Sequence, residues 1–399
     1  MIVALLFLAT VVNYIDRQTL SVLSPTLRRE FHLSERDYAN AVSAFLIAYT
    51  VMYSLAGRLL DRIGVRLGMA LCMAWWSVAG MMTSLAQGAM SLAACRFLLG
   101  IGEPGVFPAG LKACSELFIP KERALPTGIF SSGSAMGAVI APPLVAWITL
   151  RYGWRYAFII PGILGLLWIP LWWRAYGPKT AAEHRDPKGR PWRRMLHDRK
   201  VWTLVLPRVA SDPVWYFYLF WLPDYLQRER GLSLAQIGIY GWIPFLCADV
   251  GNIGGGALSD WLVRRGWPAR KARIALLAAV GCLAPFGALV AVVDSTASVI
   301  AITCGVAFLT QCWSTNISTL AADLFPQEER GTVAGMMGTA GSLGGVLFSQ
   351  MLGLLIATFG YGSAFVAAAA LHPIAATLLV LSFGSDKKGW LSHESSTVS

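Results

Sequence analysis

Seven charged residues stand inside otherwise apolar stretches of this 399-residue chain: Asp16, Arg17, Arg96, Glu103, Arg208, Asp212 and Asp249. An ionised side chain at mid-membrane depth costs about 2.5–3.5 kcal/mol on insertion scales, so such residues face a protein or water interior and find partners there. Arg96 and Glu103 are seven apart. At about 100° per residue they return to within ~20° of one helix face, about 10.5 Å apart along the axis. Gly100, Gly102, Pro104, Gly105 and Pro108 crowd around Glu103. They loosen the helix and free backbone groups that only a protein- or water-lined interior satisfies. Two readings are open: a structural ion pair, or an anion-binding arginine beside an acid that exchanges a proton. The spacing leaves both groups partly unpaired, which favours the second. The planar guanidinium fork matches a carboxylate.

Asn13, Asp16 and Arg17 fall at i, i+3 and i+4 on one face, with Asp16 and Arg17 pointing about 100° apart. Arg17 is expected to reach a ligand and Asp16 to take a proton; a structural helix–helix pair is the alternative. Tyr14 and Tyr49 are candidate ligand contacts, with simple packing the competing reading for Tyr49. Arg208 and Asp212, at i and i+4, can neutralise each other, for structure or for gating. Trp215, Tyr216, Tyr218 and Trp221 read mainly as an interfacial aromatic belt. Asp249, ahead of Gly251, Gly254, Gly255 and Gly256, reads as a buried acid at a close helix contact. Gln311, Ser314, Thr315 and Ser318 form a polar stripe. Gln311 and Ser314 are the chosen ligand contacts, with Asn316 less well aligned. Ser134, beside Gly133 and Gly137, is a further candidate, and His372 before Pro373 reads as a satisfied buried histidine.

The elements that must position these residues are apolar helices. The chain is 56% hydrophobic and 14% charged, against about 25% charged in soluble domains. That excludes disordered, collagen-like, coiled-coil and small disulfide-scaffold classes. Twelve stretches are long enough to span a bilayer: 2–22, 38–57, 67–85, 92–111, 124–149, 156–176, 201–226, 234–259, 273–293, 299–320, 332–359 and 361–383. The first lacks a basic lead-in and a cleavage site, so it is not an ordinary signal peptide; a short cytoplasmic head before Met1 is conceivable. With both termini inside, 22 of the 33 basic residues fall in inside loops and 7 in outside loops, as the positive-inside rule requires. The net charge of +11 thus encodes orientation rather than nucleic-acid binding. The seven cysteines form no CxxC and the five histidines no ligand spacing, so no metal or other cofactor is expected.

The chain also repeats itself. Gly57, Asp61, Arg62 and Gly64 after the second span match Gly256, Asp260 and Gly266 after the eighth, the two Asp being 199 residues apart. Glu116-Leu-Phe with Glu122-Arg123 matches Asp323-Leu-Phe with Glu329-Arg330 at an offset of 207, and Tyr152-Gly153 echoes Tyr361-Gly362 at 209. This predicts two six-helix halves in the same orientation, residues 1–176 and 201–383. A basic cytoplasmic linker at 177–200 joins them, and a cytoplasmic tail runs over 384–399. Parallel repeats of this kind mark transporters whose site lies between the halves.

With these residues in view, the chain resembles the major facilitator superfamily, whose loop signature is met by Gly57, Asp61, Arg62, Gly64 and Arg66. Within it, Asn13-Tyr14-Ile-Asp16-Arg17, Arg96 and Gly102-Glu103 resemble the anion:cation symporter family. Pro108 to Lys112, Glu116, Lys121 to Arg123, Ala141-Pro142-Pro143, Leu206-Pro207-Arg208, Pro213, Trp215 and Ala248-Asp249 resemble hexuronate transporters. The resemblance implies an all-α membrane protein with the twelve-helix major facilitator fold. It implies a proton-coupled symporter importing a sugar-acid anion, glucuronate or galacturonate foremost. Galactonate, glucarate, tartrate, aromatic acids or anion exchange are the alternatives. Arg17, Arg96, Tyr14, Tyr49, Ser134, Gln311 and Ser314 would bind substrate, and Asp16 and Glu103 would carry protons. Asp61 and Arg62, with Asp260 their counterpart, would gate the cytoplasmic side. The expected setting is a monomer in a cell (inner) membrane, with the lipid bilayer, an anion and a proton as partners and no nucleic acid. No nucleophile–base constellation or Walker loop is present, so an enzyme is not expected.

Overall fold

A computed structural model describes residues 1–118, 124–177 and 192–384. Most of the expected linker, the expected tail, Lys121 to Arg123 and the Asp61 side chain lie outside the described residues. The described helices are α1 (Ile2–Phe31), α2 (Glu35–Met82), α3 (Ala89–Gly102), α4 (Val106–Leu117), α5 (Ala124–Tyr152), α6 (Trp154–Ala175), α7 (Trp192–Met195), α8 (Arg199–Arg228), α9 (Leu234–Tyr240), α10 (Ile243–Arg264), α11 (Ala269–Leu283), α12 (Thr296–Leu324), α13 (Gln327–Phe359) and α14 (Tyr361–Gly384). Among the described residues, ten stretches are long and apolar enough to cross a membrane. The expected spans at 38–57 and 201–226 lie on the first part of α2 and on α8; in α8 charged residues and three prolines, Pro207, Pro213 and Pro223, lower the apolar content.

The expected second and third spans form one continuous element, broken only at Gly64, whose φ of 80° is open to glycine without a Cβ clash. Its partner in the second half is Gly266, at φ 92°. The repeat is finer than its charged motifs show. His32 and Gly231, at left-handed φ, end α1 and α8 at an offset of 199. Directly after them, Ser34 with Asp37 and Ser233 with Gln236 form matching capping boxes, each satisfying orphan amides at a helix start. The Tyr-Gly echo is out of register by two. The structure pairs Gly153 with Gly360, both at positive φ and both starting a helix, which restores the 207 offset.

Helix contacts are close where glycine permits. A Cβ on Gly100 would strike the Phe45 carbonyl, and one on Gly137 would lie 2.8 Å from the Tyr14 Cβ. These contacts press α3 onto α2, and α5 onto α1. Between the halves, hydrogen bonds cluster at the end bearing the 32–34 connection. Ser21 donates to the Leu219 carbonyl (2.6 Å), Tyr38 to the Phe220 carbonyl, and Gln350 Nε2 to Ser43 (2.7 Å).

Candidate functional site

The sequence places Arg17 and Glu103 on different helices, and the fold joins them. Arg17 Nε and Nη2 both donate to Glu103 Oε2, at 3.0 and 2.8 Å, with both side chains buried. As expected, the helix is interrupted at Glu103: α3 tightens into a 3₁₀ turn over Glu103–Gly105 before α4. A Cβ on Gly102 would stand 2.9 Å from the Trp76 nitrogen, so the missing side chain lets this break lie against α2. The Arg17 guanidinium sits over three rings, Tyr49 (4.8 Å), Tyr14 (4.9 Å) and Phe45 (5.5 Å). These contacts favour a desolvated cation.

Arg96 shares the Phe45 ring, with its guanidinium 4.9 Å from it. It is 1% exposed, and none of its three side-chain nitrogens has a hydrogen-bond partner among the described residues. Glu103 Oε1, Asp16 Oδ2 and Asn13 Nδ2 are likewise buried without partners. Buried polar groups are normally satisfied, so such a cluster marks a place completed by water or ligand. Asp16 and Arg17 do point apart. Arg17 faces Glu103, while Asp16 faces the second part of α2 at Gly80.

From the second half, Tyr216 is close enough to act on the Arg17 charge, and its hydroxyl shares a hydrogen bond with Ser342 (3.3 Å). Tyr53 stands beside Tyr49, with ring centroids 5.6 Å apart. Arg208 pairs with Asp212 (2.9 Å) as the spacing implied, and also reaches Ser318 (2.8 Å) and Ser314 (3.5 Å). Ser314 is therefore in the polar group of the second half. Gln311 is half-buried on the same helix.

Other expectations are placed differently. Thr315 leaves the polar stripe and bonds Asn252 of α10. Asn316 is used on the Gly255 and Cys312 carbonyls (3.1 and 2.9 Å). Ser134 donates to the Ser131 carbonyl of its own helix (2.7 Å). Asp260 pairs within its own half, with Arg273 (2.9 Å), which also meets Asp323 (3.6 Å). Arg62 is exposed on α2. Tyr218 and Trp221 are buried rather than forming a belt; their rings pack on Phe365 and Tyr38. His372 is buried against Trp313, ring centroids 5.5 Å apart, but among the described residues neither ring nitrogen has a partner. It is not a satisfied histidine.

The sequence reading missed Tyr53, the Phe45 ring that both arginines share, and a second ionic cluster. Arg28 and Arg228, counted there as loop charges, meet across the halves. Arg28 Nε is 3.2 Å from Asp224 and its Nη2 2.8 Å from Glu35, while Arg228 contacts Glu35 and Asp224. Asp224 is fully buried and also accepts from Tyr361 and Ser24. Arg28 stacks over Tyr38 at 4.6 Å. Only one signal was available: Asp224 sits in a Trp-Leu-Pro-Asp-Tyr-Leu run, an acid among apolar neighbours.

This layout of two helical halves around buried charges matches a known family. A model described as Major Facilitator Superfamily matches residues 6–349. The chain belongs to the Major Facilitator Superfamily. As such it is an integral membrane protein and a transporter, not an enzyme. Among its superfamily relatives is a protein named hexuronate transporter from Escherichia coli (strain K12), 32% identical, with 94% of this chain and 92% of that one covered. Another is a galacturonate transporter from Dickeya chrysanthemi, 33% identical over 64% of this chain and 79% of that one. A D-galactonate transporter from Escherichia coli O6:H1 is 28% identical, covering 96% and 95%. The fold is that of a solved bacterial homologue of the human lysosomal transporter Spinster. Its TM-score is 0.73 at 21% identity, over 96% of this chain and 94% of that one.

Proposed function

We propose that this transporter imports a sugar-acid anion, a hexuronate foremost, together with protons, by alternating access. The observation that carries the reading is the pairing of Arg17 with Glu103 beside the unpartnered Arg96. Arg96 is a buried cation awaiting an anion, and Arg17 is a second one held by an acid. Protonation of Glu103 would weaken its hold on Arg17 and free that guanidinium for the substrate carboxylate. Release of substrate would let Arg17 return to the carboxylate form. Tyr14, Tyr49, Tyr53 and Tyr216 surround Arg17 with hydroxyls and ring faces suited to a polyhydroxylated acid. Ser314 and Gln311 would serve from the second half, with Ser134 a further contact, and Asp16 would supply a second proton site.

Proton coupling has a physical reason. An inside-negative potential opposes entry of a monovalent anion by about 2.3 kcal/mol per 100 mV. One proton makes the step electroneutral and a second makes it favourable. The Arg28–Asp224–Glu35–Arg228 cluster closes the outer end, and Asp61, Arg62 and Asp260 would act at the cytoplasmic end. The proposed setting is a monomer in the inner membrane with both termini cytoplasmic, as the distribution of basic residues supports.

Uptake into proteoliposomes of purified protein tests the reading. Glu103→Gln should abolish accumulation driven by a proton gradient while sparing substrate exchange. Normal accumulation by that variant would sink the coupling role. A counterflow panel of glucuronate, galacturonate, galactonate and glucarate decides the substrate, since relatives of this chain bear names of several of these acids.

A further inference from the structure

Among the described residues, neither Asp16 nor Arg96 has an ion-pair partner, although both are buried. Asp16 faces the second part of α2 instead. A Cβ on Gly80 would stand 3.7 Å from Asp16 Oδ1 and 3.9 Å from its Cγ, and would meet nothing else within 4 Å. One helical turn earlier on the same face is Trp76, which is fully buried. Its side chain is close enough to act on the Asp16 carboxyl. Neither Trp76 Nε1 nor Asp16 Oδ2 completes a hydrogen bond, and Asn13 Nδ2, on Asp16's own helix face, is also open. Two donors and an acid left unsatisfied in one buried place form a setting that a single internal water satisfies, since such waters make two to four bonds to otherwise unpaired groups. Trp76 also packs its main chain on Gly102, where a Cβ would lie 2.9 Å from its nitrogen. The same residue thus touches both Asp16 and the helix break that carries Glu103.

We propose that Trp76, Asn13 and Gly80 form a hydrated seat for the Asp16 carboxylate, with Trp76 as its positioning residue. An indole N–H only donates, so its interaction strengthens when the carboxyl has lost its proton. Gly80 keeps the space that the water needs. The charges that act on Asp16 are Glu103 and Arg96, from the break after α3 and from α3 itself. Neither of these charges lies on α2, and Arg17 of Asp16's own helix is committed to Glu103. The seat rests on the reading of Asp16 as a proton site.

Infrared difference titration of the full chain in lipid tests it without a substrate. The protonated-carboxyl band lost in Asp16→Asn identifies the Asp16 signal. Gly80→Ala and Trp76→Phe should each move the midpoint of that band to higher pH by about one unit, the scale of one lost hydrogen bond to a charged group. Gly80→Ala guards against misfolding, because alanine favours the helix and the new methyl meets only Asp16. If Asp16→Asn removes no band, the proton-site reading fails and the seat with it. If the band is removed but both midpoints stay with the parent protein, the seat alone is overturned.

Discussion

Asp224→Asn keeps the shape of the side chain and removes its charge from the cluster that joins the halves. In the closed end this carboxylate is fully buried and takes Arg28 Nε at 3.2 Å, Ser24 at 3.4 Å, Arg228 at 3.4 Å and the Tyr361 hydroxyl. Removing one partner of a buried pair costs about 3–5 kcal/mol. Two observations lower that figure here. Glu35 still holds Arg28 at 2.8 Å. Arg228 is 41% exposed, so its contact is screened and adds little. About 2–3 kcal/mol remains, and it falls on the closed end, because opening hydrates the same groups. At 1.4 kcal/mol per tenfold, the equilibrium should move about 30- to 150-fold toward opening. The assay is labelling of Ser21→Cys, a buried position bonded across the halves, in a background lacking the seven native cysteines. A membrane-impermeant maleimide is added from the outer side. Labelling should rise at least tenfold with Asp224→Asn. An unchanged rate in folded protein would show that the cluster does not hold this end shut.

Four further outcomes follow from the geometry. Arg96→Lys should keep the charge but lose the planar fork, weakening half-saturation for uptake by about tenfold or more, read from transport kinetics in proteoliposomes. Gly341→Ala would force its Cβ into the Asp212 carboxylate, so it should break the Arg208 pair and abolish uptake while leaving a folded protein by size-exclusion chromatography. Phe45→Ala removes the ring shared by both arginines and should cost about 3 kcal/mol or more of stability as a buried aromatic truncation, visible as a lower melting temperature in detergent. Hydrogen bonds from Ser34 hold the Asp37 carboxyl below its ordinary value of 3.8. Its contribution is therefore present above about pH 4 and lost as pH falls below that. Ser34→Ala should lower thermal stability slightly at pH 7, by less than the usual ~1 kcal/mol of a cap because the site is exposed, and by less again in acid, where the bond from the Asp37 amide to Ser34 Oγ is still lost but the bond to the carboxylate no longer counts.

How far the site was legible depends on the range of each interaction. The Arg208–Asp212 pair was readable because both groups sit one helical turn apart. The helix break at Glu103 was readable because glycine and proline act on their own backbone. The Arg17–Glu103 bond was not, since 86 residues separate the partners and nothing local says which arginine the acid will meet. The same holds for Arg28 with Asp224. Loop arithmetic counted Arg28 and Arg228 on the same side of the membrane, yet it assigned them no partner. Thr315 and Trp221 went astray because helical periodicity shows which residues share a face, and not whether that face meets a cavity, a neighbouring helix or lipid.

By itself the sequence determined an all-helical membrane chain with a repeated half, the identity of the costly charges and the places where helices bend. These are properties of apolar length, of glycine and proline, and of ionised groups in a low-dielectric medium, all of which act within a few residues. Only the tertiary structure decided the pairings. It set Arg17 on Glu103, left Arg96 and Asp16 without partners, and brought four distant charges together at one end. Coulomb and hydrogen-bond energies fall off over a few ångströms, so they depend on which helices pack against each other, and close contacts at Gly100, Gly102 and Gly137 set that packing.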